Sequence, residues 1–266
     1  MSIAAFQRLH QAGCFLMPNA WDAGSAAMLQ HLGFSAIAST SSGLAWSLAR
    51  RDNEVGLGPV LAHLRALVQA VDVPVNADFE GGFAIEPDEV ASNVTLAIST
   101  GVAGLSIEDS TGDATAPLFD FALAVERIAA ARAAIDALGS GVLLTARSEG
   151  FIAGQPDIDE TLRRLQAYSH AGADCLYAPG IRTVDEIRAV VDAVAPRPVN
   201  VLVHADFTTV RALADAGVRR ISVGGALARV AWGAFMSAAR EIRQAGTFTE
   251  LATATPSSVI EEAFRE

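Results

Sequence analysis

An apolar segment that ends in two carboxylates is where this chain first shows residues able to do chemistry together. Residues 75–82 read VNADFEGG, which places Asp78 and Glu80 two positions apart. In a strand, side chains two apart point to the same face, so both acids would meet just past the strand end. Crowded carboxylates raise each other's pKa, and a divalent cation relieves the repulsion. A ligand set made only of oxygen indicates Mg²⁺ or Mn²⁺.

Charged residues follow two further apolar segments. Glu108 ends one of them, and Arg147 ends another, with Glu149 two positions later. We predict that Asp78 ligates the metal directly and that Glu80 and Glu108 can do so through water, because Mg²⁺ dehydrates reluctantly. The alternative is that these acids cap helices or pair with surface arginines. A buried Arg147 needs an anionic partner, which is either a substrate carboxylate or one of Glu108 and Glu149.

Small residues follow an earlier apolar segment and can form an anion-binding loop. The residues there are Ser42, Gly43 and Leu44. Successive backbone N–H groups turned inward would bind a carboxylate or an oxyanion. An ordinary loop of small residues between a strand and a helix is the alternative.

Eight short apolar segments alternate with longer stretches of helical period, and this order predicts a (β/α)₈ TIM barrel. The predicted strands are Phe15–Pro18, Ala36–Ser39, Val75–Asp78, Leu105–Glu108, Leu143–Arg147, Cys175–Tyr177, Val199–Val203 and Arg220–Val223. Continuous apolar runs are typical of parallel strands buried on both faces. In this fold the active site lies at the carboxyl ends of the strands, where the charged residues stand. A doubly wound open sheet is the alternative, but no GxGxxG motif follows the first strand.

Composition limits the class of partner. The chain has 266 residues, of which 51% are apolar, and its formal net charge is −11. A large core is therefore easily built, and neither nucleic acid nor an anionic membrane is an expected partner. No stretch has the length of a membrane span, and the first residues lack the pattern of a signal peptide. We expect a cytoplasmic protein that acts on a small molecule.

The chain is predicted to divide into a barrel over residues 1–247 and a tail over residues 248–266. The tail contains a short amphipathic segment, Ser258–Arg265, that is predicted to be helical. A helix beyond a closed barrel has no place in the core of that barrel. We therefore predict that the tail packs on a partner subunit.

Several motifs together resemble the isocitrate lyase/phosphoenolpyruvate mutase superfamily, at the level of its small mutase-like and methylisocitrate-lyase-like members. They are MPNAWDA at 17–23, TSSG at 40–43, RD at 51–52, ADFEGGF at 77–83, IEDS at 107–110 and TARSE at 145–149. The resemblance covers nearly the whole chain. It implies a TIM barrel that binds Mg²⁺ and a 2-oxo acid. It also implies a homo-oligomer, typically a tetramer, in which C-terminal helices are exchanged between neighbouring barrels.

The resemblance also implies roles for single residues. The metal ligands would be Asp78, Glu80 and Glu108, with Asp52 supporting the bound waters. The substrate would be held by the backbone of Ser42, Gly43 and Leu44, by Arg147 and, at its second carboxylate, by Asn200. The shared chemistry is a pyruvate-type enolate whose negative charge the metal stabilises.

These implications lead us to expect metal-dependent cleavage of a carbon–carbon bond in a small 2-oxo or 2-hydroxy carboxylate. Decarboxylation of an oxaloacetate-like acid is the simplest version, because departing CO₂ needs no proton. Cleavage of a methylisocitrate-like acid comes second, with Glu149 or a water as the acid. The family's lyases carry a Lys-Lys-Cys-Gly-His loop here, but residues 109–120 contain no cysteine, lysine or histidine. Phosphorus–carbon chemistry on phosphonopyruvate and a non-catalytic oxo-acid-binding protein are the alternatives.

Overall fold

In the computed structural model, which describes residues 3–264, one parallel sheet is surrounded by helices. The strands are β1 (Phe15–Leu16), β2 (Asn19–Ala20), β3 (Ile37–Ser39), β4 (Val75–Asp78), β5 (Gly104–Glu108), β6 (Leu143–Arg147), β7 (Cys175–Tyr177), β8 (Val199–Leu202) and β9 (Arg220–Ser222). The helices are α1 (Ile3–Leu9), α2 (Ala23–His31), α3 (Ser41–Ser47), α4 (Leu57–Ala70), α5 (Pro87–Ile98), α6 (Phe121–Ala137), α7 (Ile158–His170), α8 (Val184–Val194), α9 (Val210–Asp215), α10 (Ala226–Ala245) and α11 (Ser257–Glu262), with a 3₁₀ helix at Thr249–Thr253.

The strand order shows how the sheet closes into a barrel. The order is β1-β9-β8-β7-β6-β5-β4-β3-β2, so β1 and β2 stand at its two ends. Only Met17 and Pro18 separate these two strands, and both belong to the ladder. The Met17 N–H donates to the Ile221 carbonyl at 2.8 Å, and the Ala38 N–H donates to the Pro18 carbonyl at 2.9 Å. The first predicted strand is therefore split in two, because Pro18 has no N–H with which to continue the ladder.

The other seven predicted strands are confirmed to within one residue at each end, and the TIM-barrel prediction is confirmed with them. Helices α1, α2 and α3 were not predicted. Helix α2 begins at a capping box between Asp22 and Ser25, and α3 begins where the Thr40 side chain accepts from the Gly43 N–H. These caps are local signals that offset weak helix propensity.

Glycines close the helices that precede alternate barrel strands. They are Gly33, Gly101, Gly172 and Gly217, whose φ angles are 89°, 93°, 104° and 87°. This left-handed conformation strains residues with a Cβ atom and suits the position just after a helix. The recurrence of glycine before alternate strands therefore has a structural cause.

Alternate residues of each strand face either the helices or the barrel lumen. Val75 and Ala77 on β4, and Leu105 and Ile107 on β5, belong to the main apolar core. Asn76 and Ser106, which lie between the members of these two pairs, line a cavity in the lumen. Barrel interiors are usually filled with bulky branched residues, so this polar lumen marks where the chemistry can take place.

Helix α10 and the tail carry apolar side chains that remain exposed. They include Val230, Phe235, Phe248, Leu251, Val259, Ile260 and Phe264. The helix predicted at Ser258–Arg265 is observed as α11, and Arg265 lies outside the described residues. Among residues 3–264, no helix is long and apolar enough to cross a membrane.

Candidate active site

Arg147, at the end of β6, is the centre of a cluster of buried acids. Its Nη1 lies 2.7 Å from Oδ1 of Asp78, its Nη2 lies 3.1 Å from Oε2 of Glu108, and its Nε lies 2.8 Å from Oε1 of Glu149. The ring of Tyr177 lies beside the guanidinium, with 5.1 Å between Cζ and the ring centroid. Acids from three strand ends therefore hold Arg147, Asp78 as well as the predicted Glu108 and Glu149.

The acidic cluster is defined here as Asp52, Asp78, Glu80, Glu108 and Glu149, and its members repel one another. Burial, followed by the charges of Asp78 and Asp52, raises the pKa of Glu80 to about 8. Burial is also the main reason why the pKa of Glu108 lies well above its ordinary value, although Arg147 opposes the shift. Loss of hydration and then the charge of Asp78 raise the pKa of Asp52. These shifts are what crowded, poorly solvated carboxylates show before a cation neutralises them.

A cavity of about 180 Å³ opens beside Arg147 and runs down into the lumen. Its walls include Ser41, Ser42, Asp52, Asn76, Asp78, Arg147, Tyr177, Asn200 and Arg220. Glu80 and Glu108 line a neighbouring cavity of about 440 Å³, which the loop at Ser110–Gly112 borders. The acidic cluster therefore lies between two cavities, with Asp78 on the lumen side.

Glu149 was predicted to be catalytic, and the structure places it behind Arg147. Its side chain is buried and lines neither of these two cavities. Its backbone N–H donates to Oδ1 of Asp109 at 2.8 Å, and Oδ2 of Asp109 accepts from the Tyr168 hydroxyl at 2.7 Å. Arg164 Nη1 approaches the same oxygen at 3.2 Å. This buried network fixes Glu149, which in turn fixes Arg147.

The loop that carries Glu80 is held in an uncommon conformation. The φ of Glu80 is 47°, a left-handed value that few residues other than glycine adopt. Arg127 fastens the loop by donating to the carbonyls of Ala84 and Ile85, at 2.6 and 3.0 Å, and to the carbonyl of Gly81. Strain that the surroundings maintain is typical of functional positions.

The three residues predicted to bind a carboxylate lie in the first turn of α3 rather than in an open loop. The Gly43 N–H faces Oγ1 of Thr40 at 3.4 Å, and the Leu44 N–H donates to the Thr40 carbonyl at 3.1 Å. Ser42 lines the cavity, whereas Gly43 and Leu44 are buried and do not. Nearby, the Ser41 N–H donates to Oδ2 of Asp78 at 3.0 Å, which ties α3 to the acidic cluster.

Two ionisable residues that line the cavity were not predicted from the sequence. Tyr177 was seen only as the last residue of a strand, and Arg220 only as the first residue of another. The sequence did predict Asn200, whose Nδ2 donates to Oγ of Ser222 at 2.9 Å and whose Oδ1 accepts from Arg220 at 2.9 Å. Each end of its amide therefore already has one protein partner. Arg220 could have been singled out in the sequence because it is a charged residue at the start of a strand that is otherwise apolar.

The oxygen atoms of the acidic cluster are suitable ligands for a divalent cation, although the carboxylates are not at present spaced to bind one. Carboxylate oxygens are the ligands that Mg²⁺ and Mn²⁺ prefer. In the part of the chain that the structure describes, no group of three or more His, Cys, Asp or Glu side chains is arranged to hold a metal ion. Asp78 and Glu108 instead close on Arg147. To ligate a cation, they would exchange these ion pairs for it.

Comparison with known proteins identifies the family of this chain. The family model described as phosphoenolpyruvate phosphomutase matches residues 6–243. A Burkholderia cenocepacia J2315 structure, described only as that of a lyase/mutase, has a TM-score of 0.96 and 47% identity, covering 98% of this chain and 95% of that one. An uncharacterized protein of Mycobacterium tuberculosis is 34% identical over 83% of this chain and 81% of its own length. The 2-methylisocitrate lyase of Escherichia coli K12 is 30% identical over 65% of this chain and 60% of its own length. The chain belongs to the isocitrate lyase/phosphoenolpyruvate mutase superfamily.

Proposed function

We propose that this protein is a lyase, dependent on Mg²⁺ or Mn²⁺, that cleaves a carbon–carbon bond in a small 2-oxo or 2-hydroxy carboxylate. Decarboxylation of an oxaloacetate-like acid is its simplest form, and cleavage of a methylisocitrate-like acid is the second. A relative named as a 2-methylisocitrate lyase supports an enzymatic role.

The observation that carries this proposal is the convergence of Arg147 and buried acids on a small cavity. Its volume of about 180 Å³ lies below the roughly 300–1,000 Å³ of pockets for drug-sized ligands. The wall offers both a guanidinium, which matches a carboxylate, and carboxylates, which match a hard cation. A small anionic acid bound together with a metal ion satisfies both.

Some side chains of the site would bind the substrate, and others hold the binding residues in position. Nη1 and Nη2 of Arg147 each carry two hydrogens, so each can donate to a substrate oxygen as well as to its acid. Ser42 faces the cavity from α3, where we propose that it holds the carboxylate, with Gly43 and Leu44 shaping the turn. Tyr177 lines the cavity, and because burial raises its hydroxyl pKa it stays protonated and able to donate. Glu149 positions Arg147.

Asp78, Glu80 and Glu108 are the residues that would hold the cation, with Asp52 at the cavity rim. When bound, the cation supplies Lewis-acid stabilisation of negative charge on the reacting oxygens, worth several kcal/mol.

The loop after Glu108 favours decarboxylation over the other reactions. It forms a small hairpin in which Ser110 pairs with Leu118 and the Thr111 N–H donates to the Pro117 carbonyl at 3.0 Å. Residues 109–120 contain no cysteine, lysine or histidine that could protonate a leaving group. Loss of CO₂ makes no such demand.

The test is an assay of pyruvate release from oxaloacetate and from 2-methylisocitrate over a range of Mg²⁺ concentrations. We expect release above the non-enzymatic rate from one of these acids, and its loss on chelation. Asp78→Asn should lower the rate by about 10²-fold or more, whereas Asp72→Asn, at an exposed acid before the same strand, should not. Release from neither acid would refute the proposal, and turnover of phosphonopyruvate instead would favour phosphorus–carbon chemistry.

We also propose that the tail, residues 248–266, packs on a partner subunit of a homo-oligomer. Support comes from the apolar side chains that α10 and the tail leave exposed, among them Phe235 and Phe248, each 63% exposed. The mass of the full chain by light scattering tests this, and a monomer at micromolar concentration would contradict it.

A further inference from the structure

A second buried arginine stands lower in the barrel lumen with no acid beside it. Arg220 is only 2% exposed, and within residues 3–264 it forms no ion pair with a carboxylate. Its Nε donates to Oδ1 of Asn200 at 2.9 Å, and its Nη2 donates to Oγ1 of Thr145 at 3.0 Å. Both partners are neutral. A buried charge without a counter-charge is costly, so this guanidinium is a candidate anion-binding group.

The remaining partner of Arg220, His10, is neutral as well. Nδ1 of His10 lies 2.8 Å from the Phe6 carbonyl oxygen, so Nδ1 carries the ring hydrogen. Nε2 lies 3.3 Å from Nη1 of Arg220 and is therefore the acceptor. Burial, and then the charge of Arg220, lowers the His10 pKa to about 3. The positive charge of Arg220 is thus solvated by dipoles alone.

Arg220 is placed where a ligand of the active-site cavity can reach it. It lines the same cavity as Asp78 and Arg147. A guanidinium has five N–H groups, and the three contacts above leave one on Nη1 and one on Nη2. Thr145, which accepts from Nη2, stands two residues before Arg147 on β6, a separation of about 6.6 Å. Arg220 and Arg147 therefore line one cavity, with Arg220 on the side nearer the start of β6.

Another polar group of the lumen also has no partner. Oδ1 of Asn76 is buried in the same cavity and accepts no hydrogen bond from the described residues. Gly104 leaves room for it, since a Cβ atom there would lie 2.6 Å from that oxygen. Buried polar atoms are normally satisfied, so this acceptor indicates a place in the lumen for a water molecule or a donor group of a ligand.

We propose that Arg220 binds the second carboxylate of a four- or five-carbon dicarboxylic acid whose reacting end lies at Arg147 and the acidic cluster. This inference rests on the proposed function and names its substrate class. Asn200, which the family resemblance assigns to the second carboxylate, instead positions Arg220. The alternative is that Arg220 only links strands across the lumen by hydrogen bonds. In that case its loss would lower stability without changing which acid the protein prefers.

The test compares two ligands that differ only at the far end. Malate and 2-hydroxybutyrate share the 2-hydroxy acid head, but malate ends in a carboxylate where 2-hydroxybutyrate ends in a methyl group. Binding to the full chain is measured by calorimetry with Mg²⁺ present. We expect the wild-type protein to bind malate at least about 10-fold more tightly, the range of a charge-assisted hydrogen bond.

Arg220→Gln should weaken malate binding by about 10- to 100-fold and 2-hydroxybutyrate binding by less than about 3-fold. Arg219→Gln, at the adjacent and partly exposed residue of the chain, is the matched control and should change neither. Arg220→Lys keeps the charge without the fork and should give an intermediate preference, which decides the matter if the glutamine variant does not fold. An equal loss for both ligands would leave only the role of linking strands and overturn the proposal.

The two hypotheses fail in different ways. If wild-type protein binds both acids equally, the role of Arg220 is wrong and the proposed function stands. If wild-type protein binds neither acid with Mg²⁺ present, this inference is refuted, and the pyruvate-release assay decides separately whether the proposed function stands.

Discussion

Arg147 and Arg220 face the same cavity, but the protein surrounds them differently. Arg147 lies among Asp78, Glu108 and Glu149, so its charge is more than balanced by the chain itself. Arg220 lies among Thr145, Asn200 and His10, none of which is charged. The first arginine is part of a charge network that the fold needs. The second keeps its charge available for a ligand.

This comparison separates two effects that substitution of a buried arginine can have. Removing Arg147 leaves acids without compensation, so it should damage both the fold and the chemistry. Removing Arg220 leaves neutral partners that can bond to water, so it should damage ligand recognition most. Substitutions in and around the Arg147 network should therefore differ in size of effect, from Arg147 itself to the residues behind it.

Arg147→Met should have the largest effect. Buried carboxylates that lose the cation paired with them cost about 3–5 kcal/mol of unfolding free energy, and turnover should fall to background. Urea unfolding and the pyruvate assay measure the two effects. Arg211→Met removes an exposed arginine 3.8 Å from Asp215 and should change neither. A stable and active Arg147 variant would contradict the central place given to this residue.

The raised pKa of Glu80 predicts a stability that depends on pH. Because its folded pKa, about 8, lies above the ordinary value, its contribution is complete below the unfolded pKa and is lost as pH rises through 8. Without metal, the unfolding free energy should therefore fall on the order of 4 kcal/mol between pH 5 and pH 8.5. Mg²⁺ should oppose this loss by favouring the ionised form.

Glu80→Gln should remove most of that pH dependence, and Glu89→Gln, on the exposed face of α5, should retain it. Urea unfolding at several pH values, with EDTA and with Mg²⁺, makes the measurement. Equal pH dependence in the two variants would mean that another group is responsible.

Tyr168→Phe should have the smallest effect. It removes one of the hydrogen bonds that fix Asp109 and, through it, Glu149, while Arg164 keeps its contact. We expect a loss of about 1 kcal/mol in unfolding free energy and less than a tenfold fall in kcat. If Tyr168→Phe lowered the unfolding free energy and kcat as much as Arg147→Met does, the buried network behind Arg147 would be as important as Arg147 itself.

The sequence predicted the strands well because buried parallel strands are continuous apolar runs bounded by glycine or charge. It failed at Phe15–Pro18, where closure of the barrel uses one interrupted strand and Pro18 cannot donate. It also failed at α3, because Ser and Gly in the first turn favour a loop until the cap at Thr40 is considered. Caps are tertiary as well as local features, since α3 is also tied to Asp78.

The residues of the candidate site that could be predicted are those at the carboxyl ends of strands. Asp78, Glu108 and Arg147 meet because the carboxyl ends of neighbouring parallel strands share one edge. Arg220 could not be found in this way, because it begins its strand and reaches the cavity from below. Whether such a residue faces the lumen or the helices depends on the register between strands, here Asn200 opposite Arg220, which periodicity alone does not fix.

The central claim is that the acids around Arg147 hold a divalent cation and that Arg220 serves the substrate instead. Titration with Mn²⁺, followed by the electron paramagnetic resonance signal of the free ion, tests this without any turnover. We predict one bound Mn²⁺ per chain in the wild-type protein and in Arg220→Gln, and none in Asp78→Asn. Failure of the wild-type protein to bind Mn²⁺, or binding that Asp78→Asn leaves unchanged, would contradict the account.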